Sequence, residues 1–156
     1  MPWHLRKLIT IVASLVLMGT PTALSDITFP QSEIIIISKS AEHRFTVEVA
    51  TTMAQRQLGL MHRQTMELDM GMMFDFGQEQ MVAMWMKNTL LSLDMLFIDK
   101  TGRIFQIEQN TVPLSLEVIA GKQPAASVIE LNGGVTEQLE IMEGDQVIHD
   151  IFFRKQ

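Results

Sequence analysis

Residues 95–108 read MLFIDKTGRIFQIE, and this stretch decides the fold class. Two strand-like runs, Met95 to Asp99 and Arg103 to Glu108, flank the short connection Lys100 to Gly102. A three-residue connection that ends in glycine is typical of a β-hairpin, because glycine readily adopts the left-handed backbone that such a turn requires. The sequence therefore predicts two antiparallel strands joined by a tight turn.

Further short runs on both sides of this hairpin also have strand character. They are rich in apolar and β-branched residues, and turn residues separate them. These runs are Glu33 to Ser38, His43 to Ala50, Gly71 to Phe76, Met81 to Lys87, Ser127 to Leu131 and Gln146 to Phe153. We expect Met81 to Lys87 to be an interior strand whose Met84 and Met86 face Met72 or Phe74.

Helical signals are few and short. A helix is predicted from Met53 to Leu58, because Thr52 and Gln55 have the spacing of a capping box and Gly59 can end the helix. One more helical turn is predicted at Val135 to Leu139. Many short strands without a strand–helix alternation predict a mainly β fold. We expect a compact antiparallel β-sandwich or small barrel with one or two short helices.

The first 25 residues have the organisation of a secretory signal peptide. Arg6 and Lys7 provide a basic start, Leu8 to Met18 is an apolar run, and small residues precede Asp26. The run is much shorter than the roughly 20 residues that a membrane-spanning helix needs. The sequence predicts cleavage after Ser25, a periplasmic or secreted location, and no stable membrane anchor after cleavage.

Residues 26–156 are predicted to form a single β-domain. All 18 acidic residues and 10 of the 12 lysines and arginines lie in this part, which gives it a net charge of −8. An acidic chain without a basic cluster disfavours nucleic acid as a partner. The chain has no cysteine, which excludes disulfides, thiol catalysis and thiolate metal sites. We expect no bound cofactor.

Polar residues around the central runs indicate a ligand site. Trp85 and Lys87 would project from one face of a strand, while Asn88 and Asp94 bracket the connection to the next run. An indole beside a cation, an amide and a carboxylate can line a pocket for a small polar ligand. The competing interpretation is an ion pair between Lys87 and Asp94 beside an asparagine turn.

Two other kinds of chemistry are open on residue type alone. A hydrolase acting on a cell-envelope glycan would use Asp94, Glu130 or Asp145, with two carboxyl groups roughly 5–9.5 Å apart.

Thioethers are soft ligands that suit Cu(I), and ten of the 13 methionines lie between Met53 and Met95. The candidate copper ligands are Met72, Met84 and Met86. We favour core packing for these methionines, because methionine fills irregular gaps.

The run Trp85-Met86-Lys87-Asn88-Thr89 resembles a motif of the family known as domain of unknown function 192. Its other motifs occur in the same order: Gly59-Leu60-Met61 with Arg63, Gly71-Met72-Met73-Phe74 with Phe76, Leu93-Asp94, Phe97-Ile98-Asp99 with Gly102, Glu130-Leu131-Asn132 with Gly134, and Gly144-Asp145 with Val147. The resemblance extends from about Arg44 to Phe152. It implies a compact, mainly β domain, commonly exported in bacteria and without an established activity.

The resemblance also bears on the candidate site. Met84 replaces an aromatic residue of the family pattern, so a copper site built on Met84 would not be a shared function. Glu130 and Asn132 belong to a family motif and join Trp85, Lys87, Asn88 and Asp94 as candidate ligand-binding residues. The sequence therefore favours an exported module that binds a small molecule or an envelope protein.

Overall fold

The computed structural model describes residues 27–153, so the predicted signal peptide lies outside the described residues. Within this range the chain forms nine strands, two short α-helices and one 3-10 helix. In chain order they are β1 (Gln31–Ile37), β2 (Glu42–Ala50), α1 (Met53–Leu58), β3 (Met70–Gln80), β4 (Ala83–Met84), β5 (Leu93–Ile98), β6 (Ile104–Glu108), β7 (Ile119–Ala120), β8 (Ala125–Asn132), α2 (Val135–Gln138), β9 (Gln146–Ile148) and the 3-10 helix (Asp150–Phe153). None of the helices in residues 27–153 is long and apolar enough to cross a membrane.

Seven strands form one curled sheet in the order β6-β5-β8-β3-β2-β1-β9, while β4 and β7 form a separate pair. The two outer strands of the large sheet meet at one end. The backbone N–H of Val147 donates to Gly102 O at 2.7 Å, and that of Gly144 donates to Ile104 O at 2.7 Å. Closure of this kind protects strand edges that would otherwise pair with other chains. The predicted mainly β fold with short helices is confirmed.

The β5–β6 hairpin forms where the sequence predicts it. Gly102 has a φ of +83°, and its N–H donates to Asp99 O at 3.0 Å. A Cβ atom at this position would lie 2.5 Å from Val147 O, so close approach of β9 also requires glycine. The turn therefore depends on Gly102 for both its conformation and its contact with the last strand.

One neighbouring pair of strands departs from the antiparallel prediction. β2 and β3 run parallel, from the pair Thr46 and Met70 to the pair Ala50 and Phe74. A parallel pair needs a long crossover connection, and residues 51–69, which contain α1, supply it. The capping box of α1 is confirmed, since Thr52 and Gln55 form both reciprocal hydrogen bonds.

Both faces of the central strands are buried. All seven strands of the large sheet contribute to the first cluster, here called the barrel core: Ile34, Ile36, Phe45, Val47, Val49, Met73, Leu96, Ile98, Ile104, Ile129, Leu131, Val135, Ile141 and Val147. The opposite face carries a second cluster, here called the outer core: Ala50, Leu60, Met72, Phe74, Val82, Met86, Leu93, Met95, Phe97, Ala125 and Val128. Every residue of β5 is buried, as expected for a strand covered on both faces.

The predicted interior strand from Met81 to Lys87 is wrong. Only Ala83–Met84 is a strand, and it pairs with Ile119–Ala120 outside the large sheet. The reason is that β3 already pairs with β2 and β8, and β5 pairs with β6 and β8, so no edge is open to this segment. It lies over the outer core instead, where Met86 is 1% exposed while Met84 is only half-buried.

The predicted last strand is also shorter than expected. It ends at Ile148, and the chain continues as the 3-10 helix Asp150–Phe153. Strand β9 pairs with β1 only from Ile35 to Ile37, although β1 extends back to Gln31. After Ile148 the backbone turns instead, and Phe152 N donates to His149 O at 3.1 Å.

A single buried carboxylate joins several parts of the fold. Asp94 is fully buried and accepts hydrogen bonds from the backbone N–H of Asn110 at 2.8 Å and of Gly134 at 3.0 Å. It also accepts from the N–H of Thr136 at 2.9 Å and from its hydroxyl group at 2.7 Å. These donors lie after β6 and at the start of α2, so Asp94 fixes both segments against β5.

We expect Asp94→Ala to lower the free energy of unfolding by about 3–5 kcal/mol, because it leaves buried donors without an acceptor. Equilibrium urea denaturation measures this loss. The control is Glu108→Ala on the neighbouring strand β6, where the side chain is exposed and a change within about 0.5 kcal/mol is expected. A loss of under about 1 kcal/mol for Asp94→Ala would contradict its structural role.

Candidate functional site

An open groove of about 650 Å³ lies between α1, the second half of β3 and the segment that follows it. Its apolar lining consists of Met53, Met61, Phe74, Phe76, Met81, Val82, Ala83, Met84 and Trp85, and its polar lining consists of Arg56, Gln57, Gln80, Lys87 and Asn88. This volume lies within the range of about 300–1,000 Å³ that is usual for small-molecule sites.

Three predicted site residues meet at this groove. Trp85 is 50% exposed, and the Lys87 ammonium group lies 5.3 Å from the centroid of a Trp85 ring. Asn88 lines the groove as well, and its backbone oxygen accepts a hydrogen bond from His62 N at 2.9 Å. That bond joins the segment carrying Trp85 to the residues after α1, so these two segments hold one end of the groove together.

Two other predicted ligand-binding residues are structural instead. The ion pair between Lys87 and Asp94 does not form, because Asp94 is buried and its hydrogen bonds go to other residues. Asn132 lies at the end of β8, where its amide donates to Met66 O at 3.3 Å and Glu67 O at 2.8 Å. Both side chains position loops and lie outside the groove.

Arg56 is a groove residue that the sequence does not indicate. Its guanidinium donates to Thr51 O and to Asp75 O, the latter at 3.0 Å, and lies 5.8 Å from the Phe76 ring centroid. The capping box predicts the helix that carries Arg56, but tertiary packing alone brings it beside the Trp85 segment. Among residues 27–153, neither Arg56 nor Lys87 forms an ion pair, and the groove lining contains no carboxylate.

A small chamber of about 80 Å³ adjoins the groove and contains Glu130 in its wall. Arg56, Phe74 and Trp85 line both spaces. Glu130 is only 4% exposed, and the structure gives its side chain no hydrogen bond or ion pair with any residue between 27 and 153. Burial raises the pKa of this carboxyl group from 4.5 to about 8.

The three acidic residues proposed for a hydrolase do not form a catalytic pair. Across β5 and β8, Asp94 lies opposite Leu131, and the next residue, Met95, lies opposite Glu130. Because successive side chains alternate between the faces of a strand, Asp94 and Glu130 point to opposite faces of the sheet. Asp145 lies before β9, where its carboxylate accepts from Met142 N at 2.7 Å. The geometry therefore does not support glycoside cleavage by these carboxyl groups.

The candidate copper ligands lie in one region of the molecule. Met72 and Met86 are buried in the outer core, and Met84 packs against that cluster from the groove wall. Packing of apolar side chains accounts for these positions. Core packing stays the favoured interpretation of Met72, Met84 and Met86, and copper binding stays the alternative.

Comparison with known proteins gives the same fold. The crystal structure of a proposed transcription regulator from Sinorhizobium meliloti superposes with a TM-score of 0.79 at 42% identity, covering 81% of this chain and 98% of that one. The crystal structure of a protein of unknown function from Novosphingobium aromaticivorans gives a TM-score of 0.75 at 30% identity, covering 84% of this chain and 99% of that one. No curated protein matches the chain significantly.

The family comparison agrees with the motifs in the sequence. The model of domain of unknown function 192 (DUF192), described as an uncharacterized ACR, matches residues 34–149. This range contains the groove, the chamber, Asp94 and Glu130. The chain therefore belongs to the DUF192 family, as its motifs predicted.

Proposed function

We propose that this protein is a binding module that takes a small amphipathic anion into its groove. The apolar body of the ligand would lie against Trp85, with its acidic group between Lys87 and Arg56. The observation that carries this proposal is the half-exposed Trp85 ring beside Lys87, at the wall of a cavity of about 650 Å³.

The apolar surface around the groove supports an apolar ligand group. Trp85 is 50% exposed, and Met53 and Met81 are 69% and 65% exposed at the same cavity. Apolar area removed from water contributes roughly 25 cal/mol per Å². These three side chains are in contact with water in the free protein. A ligand that covers them would remove that apolar area from water and gain this free energy on binding.

The charges around the groove support an acidic ligand group. Arg56 and Lys87 are the cations of the lining, and no carboxylate lies in it to neutralise them. The carbonyl oxygens of Thr51 and Asp75 hold the Arg56 guanidinium in place, which reduces the entropy lost when it binds an anion. The whole chain has a net charge of −6, so attraction of an anion depends on these two local cations.

We also propose that the protein is exported, on the strength of the leader pattern in residues 1–25. Export would place the groove in contact with molecules of the cell envelope or the medium. Mass spectrometry of protein recovered from the periplasm or the medium should show a first residue at or near Asp26. Recovery of the intact chain in the membrane fraction would contradict cleavage.

Binding can be followed through Trp85 itself. The chain has two tryptophans, Trp3 and Trp85, so Trp85 is the only one in a Trp3→Phe background. We expect phenylbutanoate to change its fluorescence saturably and to bind about tenfold or more tightly than phenylbutanol or phenylbutylamine, since a hydrogen bond to a charged group contributes about 1.5–3 kcal/mol. The three probes share one apolar body and differ only in the head group.

The variant Lys87→Met should lose most of the preference for phenylbutanoate over phenylbutanol. The matched control is Lys122→Met, because Lys122 is exposed and does not line the groove. Equal affinity for the three probes would contradict an anion site. An equal loss in both variants would show that net charge, rather than the groove, attracts the anion.

A further inference from the structure

We propose that Glu130, in the wall of the chamber, contacts the ligand directly through a hydrogen bond between its carboxyl group and an oxygen atom of the bound anion. This inference rests on the proposed function of the groove, and it adds a second, buried part to that site. It also narrows the ligand class to anions whose head group carries an accessible oxygen acceptor, such as carboxylates.

The state of Glu130 differs from that of Asp94, another buried acid of the central strands. Asp94 and Glu130 are both removed from water, but Asp94 accepts four hydrogen bonds. No donor or acceptor in residues 27–153 satisfies the Glu130 side chain. Its carboxyl oxygens are not among the side-chain atoms of residues 27–153 that are sealed from solvent without a hydrogen bond. They are therefore reachable from the chamber, where a ligand atom can bond to them.

The chamber gives a ligand access to Glu130 from the groove. Seven residues line both spaces: Arg56, Gln57, Met61, Phe74, Ala83, Met84 and Trp85. The chamber volume of about 80 Å³ exceeds the 10–15 Å³ or so that one water molecule needs by this kind of measure. A compact head group can therefore enter the chamber while the apolar body stays in the groove.

The polar lining of the chamber suits an oxygen anion better than an ammonium group. Arg56 lines the chamber together with Glu130, and its positive charge would repel a ligand cation. Burial favours the neutral form of Glu130, raises its pKa to about 8 and leaves it with an O–H donor at neutral pH. A cationic guanidinium and a neutral O–H donor together match the two oxygens of a carboxylate.

The other charged residues on the sheet face of Glu130 are either ion-paired or exposed. On the same sheet face, Glu48 of β2 is ion-paired with Arg63 at 2.5 Å, and Glu108 of β6 is exposed. The strands adjacent to β8 place the apolar Met72 and Met95 opposite Glu130. Arg56 lines the chamber together with Glu130, Lys87 lines the adjoining groove, and His62 is exposed.

Glu130 is thus the only acidic residue among those that line the chamber, and no histidine lines it. Lysine and arginine keep their charge up to about pH 9. A loss of binding between neutral and mildly alkaline pH would therefore report the ionisation of Glu130. Ionised Glu130 has no O–H donor and repels an anionic head group.

The test is a titration of the Trp3→Phe protein with phenylbutanoate from about pH 6 to about pH 9, a range in which the probe stays ionised. Above the pKa of Glu130, the affinity should fall by up to about tenfold per pH unit, because the ionised form does not bind. Glu130→Gln keeps an N–H donor and cannot ionise. We expect it to bind within about threefold of the parent at pH 6 and without this pH dependence.

The variant Glu130→Leu removes the donor and should lose about tenfold or more in affinity at pH 6. Glu108→Gln is the matched control on β6 and should retain the parental pH profile. A parental affinity that is constant or rises with pH would overturn the inference, as would tight binding by Glu130→Leu. In those cases the groove proposal stands, whereas the absence of saturable phenylbutanoate binding at any pH contradicts both.

Discussion

The hydrogen bonds of Asp94 hold the end of the barrel together. One carboxylate accepts from Asn110, Gly134 and Thr136, and these residues belong to the two connections that pass over the end of β5. Without this acceptor, several backbone donors would be buried without a partner. One of these connections follows β8, the strand that carries Glu130 and lies between β5 and β3.

The pairing of β5 with β8 explains why the buried acids Asp94 and Glu130 have different surroundings. Side chains alternate between the faces of a strand, so Asp94 faces the closed end of the barrel while Glu130 faces the outer core. On the Asp94 face, the connections after β6 and β8 supply backbone N–H groups that donate to its carboxylate. The second face is covered by α1 and the segment with Trp85, which leave the groove and its chamber open. The acid that holds the connections and the acid proposed to contact a ligand thus lie on opposite faces of the same sheet.

Local features could be predicted from the sequence, whereas features set by strand order could not. The hairpin at Gly102 and the helix cap at Thr52 depend on neighbours in the chain. The parallel pairing of β2 with β3 and the place of residues 81–87 depend on which edges the other strands occupy. A methionine-rich run has the same appearance whether it pairs within a sheet or lies on top of one.

The same distinction applies to the site. Trp85, Lys87 and Asn88 lie within four consecutive residues, so their joint position at one surface follows from the sequence. Asp94 and Glu130 are both acids in apolar runs, and only the strand register shows which of them has donors. Arg56 enters the groove from a separate helix.

The stability of Glu130→Gln across pH tests most directly whether Glu130 is a buried carboxyl group without a partner. Between the pKa of 4.5 in the unfolded chain and that of about 8 in the folded protein, unfolding releases a proton, so the stability of the wild-type protein falls as pH rises. The glutamine variant has no such proton. We predict that urea denaturation shows a stability difference moving steadily in favour of Glu130→Gln across this range. A difference that stays constant or moves in favour of the wild type would contradict the account.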